Sequence, residues 1–420
     1  MAAIHIDFQQ WAPRSVQQPK TERLADGGLR LQAAGRDEVF GGFRGKIAPL
    51  EPDHWYRVTV HAQLRGIDDP RHQTWVQLQL SQQHYRHLAD VVPGSHGECR
   101  YEMTGKAELD HAFLDVLLTR CPDGEMTVSK VVVEPLDAPP VRLVRVCSIY
   151  DYPPYRPKDK PIDNARLFAA DIDRARERFG PLDLVVLPEA INIVGITEKH
   201  HQGALDVPGP ETEVLADAAS RCKTYVVAGL FQRDGDVIYN AAVLFDRGGQ
   251  IAGIYHKVQL PNQELSDGIK PGGDLPVFDT DFGRLGMLIC HDTTYPEPAR
   301  ALLLGGAEIV AVPIWGGREV LVRSRAYENG LWLVTSGYNY PCQIIDPKGD
   351  VIARTHPGDG ARGERDAIYA TLDLAHPPIQ PWYGDMRDLQ FKERRDELYG
   401  HLLGTQAAAL PRWRKRNQTP

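Results

Sequence analysis

Apolar and polar positions alternate through the first third of the chain and take up a different rhythm near residue 140. Tyr56, Val58, Val60, Ala62 and Leu64 alternate with polar residues, as do Val76, Leu78 and Leu80, and Met126-Thr-Val-Ser-Lys-Val131 closes the series. A period of two marks strands with one buried face, and the stretches rich in Gly, Pro and Asp between them mark turns. The pattern predicts an all-β antiparallel sandwich, jelly-roll-like in class, over residues 1–139, with Pro135-Leu-Asp-Ala-Pro-Pro140 as the linker that follows.

From Val141 the rhythm becomes that of strands alternating with helices. Val141–Ile149 reads as a strand, and Asn164–Phe179 as a helix with Leu167, Phe168, Ile172, Ala175 and Phe179 at helical spacing. Strands follow at Leu182–Leu187 and Tyr225–Leu230, with a helix at Glu211–Lys223 between them. Tyr239–Asp246 and Ile251–Val258 flank Arg247-Gly-Gly-Gln250 as a hairpin. Leu285–Ile289 is a short buried strand, and Pro296–Leu304 a helix with proline in its first turn. A strand at Glu308–Pro313, a helix at Glu319–Asn329, a strand at Leu331–Ser336 and a hairpin around Asp346–Asp350 complete a layered α/β domain over residues 140–375. The last segment, 376–420, is set apart by Pro377-Pro-Ile-Gln-Pro-Trp-Tyr383, a charged helical pattern at Leu389–Leu403 and the basic run Arg412-Trp-Arg-Lys-Arg416. It is too short for a core of its own and is expected to pack on a neighbouring domain or a second subunit.

Composition narrows the possibilities. A chain of 420 residues exceeds one ordinary core, and a net charge of -8 gives no basic footprint for nucleic acid. No apolar run is long enough to span a bilayer, and the first residues lack a secretory layout, so a cytoplasmic protein with no membrane partner is expected. The 6 cysteines are far apart, with no Cys-x-x-Cys pair and no zinc spacing, so free thiols and no metal are expected. The doublet His200-His201 falls in a polar segment and reads as solvated loop.

Three polar residues end apolar strands in the second domain: Glu189 after Leu184-Val-Val-Leu-Pro, Lys257 after Ile254-Tyr-His, and Cys290 after Met287-Leu-Ile. Strand ends of a layered sheet gather ligand-facing groups. A carboxylate, an ammonium and a thiol there would suit nucleophilic chemistry. Glu189 would be the general base for Cys290 and later protonate the leaving amine, and Lys257, with the backbone N–H of His291, would hold a developing oxyanion. Taken singly, each has an ordinary explanation: Cys290 as inert core, Glu189 as a loop cap, Lys257 as a solvated strand end.

Leu184-Val-Val-Leu-Pro-Glu189, Tyr255-His-Lys257 and Gly286-Met-Leu-Ile-Cys-His-Asp292 with Tyr295-Pro-Glu297, in this order, resemble the nitrilase superfamily of carbon-nitrogen hydrolases over about Val141–Asp373. The resemblance implies an α-β-β-α sandwich, no cofactor, a Glu-Lys-Cys triad at Glu189, Lys257 and Cys290, and a thioester intermediate. It also implies a second glutamate between lysine and cysteine, for which Glu264 is the candidate. His291-Asp292 stands where nitrile-cleaving members carry tryptophan and glutamate, which points to a linear amide or N-carbamoyl substrate rather than a nitrile. Trp315 would wall the acyl pocket or simply pack in the core, His291 would shape the space beside the thiol, and Arg318 would meet a substrate carboxylate or lie on the surface. The same resemblance implies a homodimer or larger homo-oligomer. A nitrilase, a thiol acyltransferase, and a non-catalytic protein whose N-terminal sandwich binds glycan or a partner are the alternatives.

Overall fold

The computed structural model describes residues 3–36, 38–81, 87–197, 199–355, 361–375, 379–380 and 384–394. The chain divides into two compact units, residues 1–139 with 380–420, and residues 140–379.

In the first unit, period-two segments pair antiparallel in two sheets. One runs His5–Trp11, Phe40–Ala48, Ala112–Thr119, Thr74–Gln79 and His87–Leu88. The other runs Lys20–Arg23, Leu29–Gln32, Glu125–Leu136, Trp55–Arg65, Glu98–Lys106 and Asp90–Pro93. Val60 lies opposite Val131 on one side and Tyr101 on the other, so one face of its sheet is continuously apolar. That face shares a single buried cluster with Phe43, Ile47, Leu114 and Val116 of the first sheet. In the C-terminal segment the described helix spans Met386–Lys392, starting a turn earlier than the charged pattern suggests. Leu389 on it is buried, and the Arg71 guanidinium lies 4.9 Å from the Phe391 ring centroid. The rest of the expected helix, and the basic run Arg412–Arg416, lie outside the described residues.

The second unit contains two mixed sheets. The path of the first is Ile251–His256, Val237–Phe245, Tyr225–Asp234, Leu184–Val186, Leu143–Asp151 and Arg365–Asp373, with its four central strands carrying much of the buried core. The second is Val277–Asp279, Arg284–Met287, Ile309–Gly316, Trp332–Asn339, Gln343–Ile345 and Val351–Arg354. Their facing sides form one apolar cluster crossed by two buried hydrogen bonds: Ser148 Oγ donates to Thr335 O and Ser336 Oγ to Ile149 O, both at 2.6 Å. Helices Pro161–Phe179 and Pro210–Cys222 pack together on the first sheet's side, and Pro296–Leu304 and Glu319–Asn329 pair on the other, giving the α-β-β-α layering. Proline in the first turn presets each of the first two helices. In the longer one, Asp163 accepts the Lys160 N–H at 2.9 Å, while Arg176 and Arg178 complement its C-terminal end. Among the described residues, no helix is long and apolar enough to cross a membrane.

Candidate active site

Segments at the strand ends of both sheets close around a cavity of about 500 Å³. Its wall includes Glu189, Lys257, Glu264, Cys290, His291 and Trp315. Glu189 follows the Leu184–Val186 strand, and Lys257 follows the Ile251–His256 strand of the same sheet. Gly229 allows the Glu189 backbone to sit where it does: a Cβ there would lie 2.7 Å from Glu189 Cα and 2.8 Å from Pro313 Cβ, so any side chain would push the two sheets' strand ends apart.

Lys257, Glu189 and Glu264 are 1 %, 3 % and 6 % exposed, dry enough that each charge must find a partner. Lys257 Nζ donates to Glu189 Oε1 at 3.0 Å and to Glu264 Oε1 at 2.6 Å. Asn240 Nδ2 donates to the same two oxygens, at 2.8 and 3.2 Å. Two donors thus clamp one oxygen of each glutamate, and among the described residues nothing donates to Glu189 Oε2 or Glu264 Oε2. Burial opposes charge on Lys257, but Glu189, Cys290 and Glu264 outweigh it, so its pKa stands above the usual value and it remains an ammonium. Burial raises the Glu264 carboxyl against the pull of Lys257, with Glu189 adding to the rise.

Cys290 opens a 3-10 turn, Cys290–Thr294, just beyond the Arg284–Met287 strand. Its φ is +44°, a conformation that costs a non-glycine residue energy and persists only where its surroundings impose it. Those surroundings are visible. Asp292 Oδ2 accepts from Ile289 N at 2.8 Å and Tyr255 Oη at 2.7 Å, and Oδ1 from Gln259 N at 2.9 Å, tying the turn to the segment around Lys257. Thr293 Oγ1 donates to Cys290 O at 2.7 Å, and Arg325 Nε to Thr293 O at 3.1 Å. The thiol itself donates to Gly316 O at 3.3 Å. Burial, reinforced by Glu189, pushes the Cys290 pKa up to about 12 against the attraction of Lys257, so the resting group is a thiol.

His291 lines the cavity, and burial with help from Lys257 pushes its pKa below the ordinary histidine range. Trp315 both lines the cavity and packs edge-on against Tyr338, with centroids 4.9 Å apart. Arg318 is exposed and outside the cavity wall. His200 departs from the solvated loop expected of it. It lines the cavity, lies 4.7 Å from the Phe231 ring, and its backbone N–H donates to Asp267 Oδ2 at 3.1 Å. Asn240 was not singled out in the sequence, although a lone amide inside the apolar run Tyr239–Asp246 was a signal. Arg362 also escaped notice and lines the same cavity.

A layered domain with this strand-end cluster is of the nitrilase superfamily. Residues 156–376 match the family model described as carbon-nitrogen hydrolase, and the chain belongs to that family. It is similar to a nitrilase of Pyrococcus abyssi, 33 % identical over 235 residues, which cover 51 % of this chain and 86 % of the relative. It is also similar to an omega-amidase of Danio rerio, 27 % identical over 247 residues, covering 51 % and 84 %. Among solved structures, an amidase of Nesterenkonia AN1 superposes with a TM-score of 0.50 at 23 % identity, over 62 % of this chain and 97 % of that one, a likeness of fold.

Proposed function

We propose that the protein is an amidase-type hydrolase that cleaves a linear amide or N-carbamoyl bond through a thioester on Cys290. The observation that carries this reading is the pair of buried carboxylate oxygens, Glu189 Oε2 and Glu264 Oε2, to which no described residue donates. A buried acceptor left without a donor costs about 1–3 kcal/mol. A carboxamide nitrogen carries the N–H donors that such oxygens require, and a nitrile nitrogen carries none.

In this mechanism the Cys290 sulfur attacks the carbonyl carbon as Glu189 takes the thiol proton. The thiol is too weak an acid to ionise by itself near neutrality, so the base acts in the same step as attack. The oxyanion is held by the Lys257 ammonium and the backbone N–H of His291. Glu264 keeps the amide nitrogen oriented. Glu189 passes its proton to that nitrogen, the C–N bond breaks, and ammonia or an amine departs. Glu189 then takes a proton from water as the oxygen attacks the thioester, and that proton returns to sulfur as the acid leaves. Within the same reading, residues 1–139 are a jelly-roll-like β-sandwich module joined to the hydrolase domain, and the working form is a homodimer or larger homo-oligomer.

Ammonia release from amide and nitrile pairs sharing one acyl group tests the assignment, together with mass spectrometry of the acylated protein. The amide is expected to be the better substrate, and Cys290→Ala to lose both turnover and the acyl adduct with its melting temperature preserved. Faster turnover of the nitrile, or residual turnover in Cys290→Ala, would overturn it.

A further inference from the structure

The polar groups of the cavity wall are unequally committed. Lys257 serves two glutamates, and His200 Nδ1 lies 2.8 Å from Asp267 Oδ2. Arg362 is different. Its Nη1 donates to Pro153 O at 3.1 Å, its Cζ lies 4.6 Å from the Tyr152 ring centroid, and no described carboxylate lies within ion-pair distance. Arginines elsewhere on this unit, such as Arg142, Arg145, Arg247 and Arg365, face a carboxylate of the chain itself. The platform beneath Arg362 is rigid, because buried Tyr152 packs against Tyr338 at 4.9 Å and against cavity-lining Trp315 at 6.2 Å. A guanidinium set over a fixed ring and anchored through one nitrogen is held in place, and among the described residues its other N–H groups have no partner.

The groups left open differ from floor to mouth. Glu189 and Glu264 each keep one acceptor oxygen without a described donor on the buried floor, whereas Arg362, exposed at the mouth, offers N–H donors. A carboxylate, which needs donors, matches the mouth and not the floor. An amide needing acceptors for its N–H groups would go to the floor. A cavity of about 500 Å³ has room for both ends of one small molecule.

We infer that Arg362 receives a carboxylate at the far end of the substrate, so that the preferred substrate is a primary amide carrying a terminal carboxylate. This rests on the amide reading above and names the substrate class for that same site. Planar guanidinium matches carboxylate through two parallel hydrogen bonds, which a lysine reproduces only in part.

The test compares succinamate and glutaramate with butyramide and pentanamide as substrates of the full chain. The unaltered protein is expected to favour the carboxylated amides by at least about 10-fold in kcat/KM. Arg362→Gln is expected to lower that preference at least about 10-fold, chiefly through KM, and Arg362→Lys to recover part of it. Added salt should raise KM for the carboxylated amides in the unaltered protein and have a weaker effect in Arg362→Gln, because an ion pair at an open mouth is screened. A preference for the uncharged amides, or one that Arg362→Gln leaves as it was, overturns the inference. Turnover of butyramide without any carboxylate preference removes Arg362 from recognition and leaves the amidase reading standing, whereas turnover of none of the four removes both.

Discussion

The Leu184–Val186 strand has a carboxylate close to each end, and the protein treats the two in opposite ways. Asp183, before the strand, has every acceptor position used. Oδ2 accepts from Arg145 N at 2.8 Å and Arg145 Nε at 3.0 Å, and Oδ1 from Arg247 Nη2 at 2.8 Å and Arg145 Nη2 at 3.2 Å. Burial pushes this carboxyl up, but Arg145 and Arg247 outweigh it and hold it below the ordinary carboxylate range. Glu189, after the strand, shares one oxygen between Lys257 and Asn240 and has no described donor on the other. Both ends are clusters of charge. Saturated bonding at Asp183 marks a group that holds the fold together, and the bare oxygen of Glu189 marks one left open to an incoming molecule.

The sharpest way to break this comparison is Lys257→Met. Two buried glutamates would lose their shared cation, and a loss of about 3–5 kcal/mol in unfolding free energy is expected along with all turnover. A variant that denatures at the parent's urea midpoint would show that the Glu189 end is not under electrostatic tension. Asn240→Ala should do less. It leaves the ion pairs and removes the amide that fixes both glutamates, so kcat is expected to fall about 10- to 100-fold with KM little changed, and Asn240→Asp to fall further by adding a third carboxylate. Equal losses in kcat and stability for the two substitutions would reduce Asn240 to a packing residue. The smallest effect belongs to the other end. Asp183→Asn is expected to cost about 1–3 kcal/mol in stability and leave kinetic constants unchanged. Because the folded carboxyl is the stronger acid, its contribution is present above the unfolded pKa of about 3.9 and is lost as pH falls through the folded value. The stability gap between parent and variant should therefore shrink below pH 4. A gap that stays constant down to pH 2 would assign the stabilisation to shape rather than charge.

Much of the second unit was readable because its strands are short apolar runs and its helices are cleanly amphipathic. The helices over Pro296–Leu304 and Glu319–Asn329 have the expected bounds, and Pro161–Phe179 differs only by a first turn in which proline serves as a start signal. The three strand-end residues Glu189, Lys257 and Cys290 stood out because each interrupts hydrophobicity at one point. The strand Arg365–Asp373 did not, since it lies at the sheet edge opposite Leu143–Asp151 and mixes polar residues on both faces. Asn240 was hidden by the apolar run around it, and His200 by its polar neighbours, for the side chains that give both their surroundings come from distant segments: Glu189 and Glu264 for one, Phe231 and Asp267 for the other. Pattern along a chain reports which face is buried, and it does not report what that face meets.

The reciprocal serine bonds between the two sheets acquire a meaning from where the cavity groups are mounted. Glu189 and Lys257 hang from one sheet, while Cys290 and Trp315 hang from the other. A slip of one residue along a strand displaces its cargo by about 3.3 Å, the whole length of a hydrogen bond. Greasy surfaces alone resist sliding poorly, because apolar contact has no preferred register. Ser148 and Ser336, each reaching across to a carbonyl of the opposite layer, act as paired dowels that fix the alignment at a depth no substrate reaches.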